Sequence, residues 1–378
     1  MAARVDYDPA MPSDADIEPL ARSMPKVLLH EHLDGGLRPA TLFELLRERG
    51  LAAPAADAQG LAAVFEARAH AGSLTEYLRG FALTVAAMAT PAALERVAFE
   101  AAEDARLDGC VLAEFRIAPL LFEVHGMAAE TAIEALLAGL RRGPLPSGLI
   151  LCAMREQPPA ASERVAALAV RYRASGVVGF DLAGPERGHP PSVHASALRI
   201  ATDAGVPLTI HAGEADAAPR VLEAARLGAR RIGHGVRLAD ALGAPQGAAL
   251  LDEVRSFDLH LELCPNSNVH TGAAVSIAAH PIGALWRAGL SLSFHTDNRL
   301  MSMITLSDEA AGLVRENGLH FADLAAMGVQ AARASFLAEL ARSQAEAAIR
   351  AWAADQKLAL NRAPQQRGSP MKPVRRGC

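Results

Sequence analysis

Lysine is almost missing from this chain. It occurs only as Lys26, Lys357 and Lys372, and every other strongly basic residue is arginine. Cysteine is nearly as scarce. Cys110, Cys152, Cys264 and Cys378 stand far apart and form no CxxC pair, which leaves a reduced, cytoplasmic chain as the simplest reading. An excess of positive charge is also lacking. Thirty-seven Lys and Arg against 42 Asp and Glu give a formal net charge of −5, so the chain has no global nucleic-acid surface. No apolar run is long enough to span a bilayer, and residues 1–25 carry acids and prolines in place of an apolar signal core. Neither a membrane protein nor an exported one is expected.

What is present is a large apolar fraction. At 51% hydrophobic and 21% charged over 378 residues, the chain can bury one large α/β barrel or two smaller domains. Residues 1–23 read as a flexible leader, 24–356 as a single domain, and 357–378, rich in Pro, Gln, Arg and Lys, as a disordered basic tail. A first strand is expected over 27–32. A strand-free stretch follows, with helical spacing at 41–49, 61–68 and 73–88. In the third of these Leu74, Tyr77, Leu78 and Phe81 share one face. Thr90 and Pro91 mark a helix start over 92–107.

From there strands and helices alternate. Strands are expected at 109–117, 148–154, 177–182, 206–211, 231–234, 259–263 and 290–295, with helices between them and again from 307. With the first, that makes eight apolar strands. Such alternation implies parallel strands and right-handed crossovers. The fold class is α/β, a (β/α)8 TIM barrel with a helical insertion after strand one and extra C-terminal helices. A doubly wound open sheet is the alternative. Polar residues clustered just after so many strands favour the barrel, whose C-terminal strand ends carry chemistry.

Those ends are unusual. The first delivers His30, His32 and Asp34, and residues i and i+2 of a strand point the same way. The two imidazoles can therefore aim at one point, as a metal requires. Later ends deliver Asp181, His211 with Glu214, His234 between two glycines, and Asp297 with Asn298. Taken alone, His211 or His234 reads equally as a ligand or as a hydrogen-bonded core residue, and Asp297 as a helix cap. So many ionisable groups at strand ends are hard to explain by packing, because unpaired buried charge is costly. His125, His189, His194, His270 and His280 read as surface histidines, His295 as structural, and Cys264 as a small core residue.

The ordered set HEHLDGG (30–36), DLAG (181–184), HAGE (211–214), IGHG (232–235), CPNSN (264–268) and HTDN (295–298) resembles the adenosine deaminase family of the metal-dependent amidohydrolases. It spans most of the chain from Lys26 to about Ser307. The resemblance implies one Zn2+ per chain, held by His30, His32, His211 and Asp297. Some barrel amidohydrolases bridge two metals with a modified lysine, and here no lysine falls at a later strand end. Zinc lowers the pKa of bound water from about 15.7 towards 7. The resemblance makes His234 and Asp297 the groups that orient that water, and Glu214 the general acid at purine N1. The zinc deaminases that use HxE with PCxxC are a different class, and this chain has neither motif.

The implied reaction is hydrolytic deamination of adenosine and 2′-deoxyadenosine to inosine and 2′-deoxyinosine. Substrate contacts are implied for His32, for Asp34 near the sugar, for the Gly184 backbone, and for Asn298 at N7, with Leu74, Tyr77, Leu78 and Phe81 as the lid. One position departs from the pattern. Asn298 stands where many members carry a second aspartate, though an amide can donate to N7 directly. The alternative substrates are aminodeoxyfutalosine, adenine or an N6-substituted adenine nucleoside. A catalytically silent barrel would have lost a ligand or the acid, and none is lost here.

Overall fold

Eight parallel strands run in sequence order around one sheet. They are β1 (Lys26–Leu28), β2 (Cys110–Ile117), β3 (Ser147–Met154), β4 (Val177–Ala183), β5 (Leu208–Ala212), β6 (Ala229–His234), β7 (His260–Leu263) and β8 (Ser291–Phe294). The computed structural model describes residues 13–70 and 74–360, the stretch 74–79 by its backbone alone. Each pair of successive strands forms a parallel ladder. The expected (β/α)8 architecture is therefore the observed one.

Between β8 and β1 there is a seam in place of a ladder. It is closed by single contacts beyond the strands. Asp297 N–H donates to His30 O (3.0 Å), His32 N–H donates to Asp297 O (2.8 Å), and Leu29 N–H donates to His295 Nδ1 (3.2 Å). His295 is thus structural, as its position on the last strand suggests. His30 and His32 lie past the end of β1, which is shorter than the strand expected over 27–32. The isolated bridges Glu31↔Asp297 and His32↔Arg116 keep this segment extended between β8 and β2.

The insertion after β1 contains helices Pro39–Glu48, Ala58–Ala69, Leu74–Met88 and Pro91–Leu107. Thr90 caps the last of these by accepting from Ala93 N–H, with Pro91 in the first turn. Leu74, Tyr77 and Leu78 lie on the third, but their side chains fall outside the described residues. Phe81, the other expected lid residue, is half-buried and packs against the core. The C-terminal helices Phe321–Ala334 and Glu339–Asp355 are present, and the first packs across β8 and β1, covering the seam.

The leader expected over 1–23 needs correction. From Asp14 to Ser23 the chain is a helix with Ile17 and Ala21 buried, packed on helix Leu306–Asn317. Its apolar residues are too few to stand out among acids and prolines, so burial decided what composition did not. The tail expected over 357–378 lies outside the described residues from 361 onward. Leu358 and Leu360 pack against the core. Among the described residues no single helix is long and apolar enough to cross a membrane.

Candidate active site

The barrel interior beneath the strand ends is charged. Glu114, Arg116, Asp181, Arg231 and Glu262 are all buried. Arg116 pairs with Asp181 (2.8 Å) and Glu262 (2.6 Å), while Arg231 pairs with Glu262 (2.6 Å) and Glu114 (2.7 Å). This ladder props up the histidines above it. His30 Nδ1 donates to Glu262 Oε2 (2.9 Å), and His211 Nδ1 donates to Asp181 Oδ1 (3.1 Å). A carboxylate only accepts, so each of these Nδ1 atoms carries the proton and each Nε2 presents a lone pair.

Those lone pairs converge. His30 Nε2 is 3.2 Å from Asp297 Oδ1, His32 Nε2 is 3.5 Å from the same oxygen, and His32 Nε2 is 3.3 Å from His211 Nε2. One ligand atom each from His30, His211, His234 and Asp297 lies within 4.8 Å of all the others. Five groups from four strand ends therefore surround one point. The surroundings call for a cation there. His30 Nε2 is buried without a hydrogen-bond partner and lies beside the buried Asp297 carboxylate. A cation between them would satisfy both the lone pair and the carboxylate. His30 reports the same field: burial and the Arg116 charge push its pKa down, yet the adjoining Asp297 and Glu262 carboxylates leave it raised. Burial opposes ionisation of Asp297, but His30, His234 and His32 hold it well below the usual carboxylate range. Three imidazoles and a carboxylate are also a normal donor set for a divalent transition metal. The residues fit a buried metal site built from three histidines and one aspartate.

His234 differs from the other histidines. Ile282 N–H donates to His280 Nδ1 (3.2 Å), so His280 carries its proton on Nε2 and donates to Asn268 Oδ1 (3.2 Å). The Asn268 amide then donates to His234 Nδ1 (3.2 Å) and to Glu214 Oε1 (3.3 Å). Filled at Nδ1, a neutral His234 must carry its proton on Nε2, which lies 3.6 Å from Glu214 Oε2. Thr271 Oγ1 also donates to Glu214 Oε1 (3.0 Å), and Ser267 Oγ donates to Asp297 Oδ2 (2.5 Å). His234 and Asp297 both adopt left-handed backbone, with φ of 65° and 61°. Non-glycine residues there are held by their surroundings at some cost in strain.

At the rim Asp34 is buried, with Oδ1 lacking a hydrogen-bond partner. Burial raises its pKa to about 7. Gly184 closes β4 with φ 95°, and an added Cβ would meet Glu156 Oε2 at 2.4 Å. Asn298 is buried and is the N-cap residue of helix Arg299–Ser302. Asp297 is therefore not the helix cap. The structure thus brings His30, His32, His211, Glu214, His234 and Asp297 together. It also corrects three positions: His194, His270 and His280 are buried and not on the surface. His280 was missed because a loop carries no periodicity to betray burial. Asp181, Ser267 and Asn268 stood inside the motifs, and only contact shows what they do.

A family model described as Adenosine deaminase matches residues 25–352. The chain belongs to the adenosine deaminase family. Family membership makes it a hydrolase of carbon–nitrogen bonds. An adenosine deaminase of Mycobacterium tuberculosis is 44% identical over 332 residues, covering 84% of this chain and 90% of the relative. Among solved structures, the N6-methyl-AMP deaminase of Arabidopsis thaliana aligns with TM-score 0.76 at 26% identity, covering 89% of this chain and 99% of that one. The adenine deaminase of Arthrobacter aurescens shares the fold, with TM-score 0.79 at 23% identity, covering 88% and 99%.

Proposed function

We propose that this adenosine deaminase family member is a zinc-dependent deaminase of adenosine and 2′-deoxyadenosine, acting in nucleoside salvage in the cytoplasm. The observation that carries the reading is the convergence of His30, His32, His211 and Asp297 on one point. The 44% identity to a curated adenosine deaminase supports it. His30, His32, His211 and Asp297 would hold the ion. His234 is left out of the ligand set because its Nε2 carries a proton and not a free lone pair. When bound, the metal supplies Lewis acidity, lowering the pKa of a water from about 15.7 towards 7.

The side chains supply the rest. Glu214, held by Thr271 and Asn268, gives a proton to purine N1 and makes C6 electrophilic. Asp297 accepts a proton from the attacking water. His234 donates from Nε2 to the oxygen being added at C6. The amino group leaves as ammonia, so water and a 6-aminopurine become ammonia and a 6-oxopurine. The unpartnered Oδ1 of Asp34 suits a sugar hydroxyl beside His32. The Gly184 backbone and Asn298 meet the purine, and helix Leu74–Met88, which carries the expected lid residues Leu74, Tyr77, Leu78 and Phe81, supplies the cover. A nucleoside is favoured over a nucleotide because Arg299 is already committed. It pairs with Glu31 and Asp104 and donates to Gly36 O.

Asn298, in place of a second aspartate, supports a second reading with aminodeoxyfutalosine, adenine or an N6-substituted adenine nucleoside as substrate. The test is loss of the adenine absorbance band on adenosine, 2′-deoxyadenosine, adenine, N6-methyladenosine and aminodeoxyfutalosine. The two simple nucleosides are expected to react fastest. Inactivity on all five overturns the proposal, and a faster rate on another compound transfers it to the second reading. Glu214→Gln is expected to retain zinc and lose turnover.

A further inference from the structure

We propose that Glu186 is a positioning residue for Glu214, acting with Arg237 as a clamp on the peptide that carries the acid. The inference rests on the reading of Glu214 given above. Glu214 lies just beyond β5, in a stretch without regular secondary structure. A loop of this kind has no ladder to fix its backbone, yet an acid misplaced by about 1 Å can cost roughly 100-fold in rate. Hydrogen bonds from Thr271 and Asn268 hold the tip of its side chain. They do not hold its Cα.

Glu186 does. It is buried in the segment after β4 and accepts four consecutive backbone N–H groups. Gly213 donates to Oε1 (2.5 Å), while Glu214, Ala215 and Asp216 donate to Oε2 (3.0, 2.8 and 2.9 Å). The carbonyls of the same stretch are taken by arginines. Arg237, just after β6, donates from its backbone N–H to Gly213 O (2.8 Å) and from Nε to Glu214 O (3.0 Å). Arg187 Nε donates to Ala215 O (2.7 Å). The peptide around the acid is thus tied on both sides to the neighbouring strand-end loops. Gly213 makes the turn possible. Its φ is 69°, and an added Cβ would lie 2.9 Å from Val221.

An ionised carboxylate is the group suited to this task, since it accepts at both oxygens and forms charge-assisted bonds. Glutamine has the same shape but offers one acceptor, and its NH2 would face N–H donors. The substitution therefore loosens the peptide without leaving a cavity.

The experiment compares zinc-loaded Glu186→Gln, Glu186→Asp, Arg237→Met and Glu214→Gln with the parent enzyme. It measures kcat, KM, product inhibition by inosine, and zinc content. For Glu186→Gln the expected result is a kcat lower by roughly 30- to 100-fold, with KM, inosine inhibition and zinc within about threefold of the parent. Arg237→Met should show the same split with a smaller loss. If Glu186→Gln does not fold, Glu186→Asp carries the test with the same split. A kcat within threefold of the parent in the folded Glu186 variant overturns the clamp. So does a loss in which kcat, KM and zinc content move together, which marks a merely structural role. An active Glu214→Gln removes the reading of Glu214 itself. An inactive Glu214→Gln beside a fully active Glu186→Gln removes only the clamp.

Discussion

At Gly35 an added Cβ would lie 2.1 Å from Asn298 Oδ1, although its φ is unexceptional. The glycine is there so that the chain after His32 can pack directly against the residue proposed to read the purine. Gly35→Ala must displace that amide. The expected result is a KM for adenosine raised about tenfold, the equivalent of one lost hydrogen bond of about 1.4 kcal/mol, with zinc content unchanged. Steady-state kinetics and metal analysis check it, and an unaltered KM would detach Asn298 from binding. The HEHLDGG motif made the glycine pair visible in the sequence. Its reason, a close approach across the seam to a residue more than 260 positions away, was not visible there.

Two elements were poorly legible, and each has a physical cause. Helix Asp14–Ser23 carries few apolar residues and is held partly by a group outside itself. Lys26 is buried and its Nζ donates to Ala21 O (2.7 Å) and Met24 O (2.8 Å), carbonyls left over at the helix end. Lys26→Met should cost roughly 1.5–3 kcal/mol, read as a lower denaturation midpoint, with kcat per zinc-loaded site unchanged. Short helix Pro265–His270, which carries Ser267 and Asn268, begins against Glu309. Glu309 Oε1 accepts from Asn266 N–H (3.1 Å), and burial raises the Glu309 pKa from 4.5 to about 8. Between those values the folded protein keeps a proton that the unfolded chain has released. Stability from this group is therefore full below pH 4.5 and lost as pH rises towards 8. Glu309→Gln should flatten that part of the pH dependence. Its stability relative to the parent should improve by roughly 3–4 kcal/mol between pH 5 and pH 8 in urea titrations. A constant difference would show that Glu309 is already ionised.

At the scale of the whole molecule, the barrel is held together around a charged interior. Removing zinc from the proposed site should leave the Asp297 carboxylate and the unpartnered His30 Nε2 facing each other without a cation. Chelation is expected to abolish deamination and lower the thermal midpoint. Restored zinc at about 1,000 times its Kd should return about 4 kcal/mol. Thermal melts followed by circular dichroism, with and without added zinc, check this, and a midpoint indifferent to zinc would refute the site.

The sequence by itself determined the alternation of strand and helix, hence the parallel barrel, because period and punctuation are local properties of a chain. It also determined the strand-end histidines and acids, because a barrel collects such ends on one face whatever its loops do. Only the tertiary structure decided the protonation pattern. His30 and His211 turn their lone pairs inward because Glu262 and Asp181 stand behind them. His234 turns a proton inward because Asn268 and His280 stand behind it. Those partners come from distant segments with no shared periodicity, so nothing local to the chain could announce which histidine holds a metal and which holds a proton.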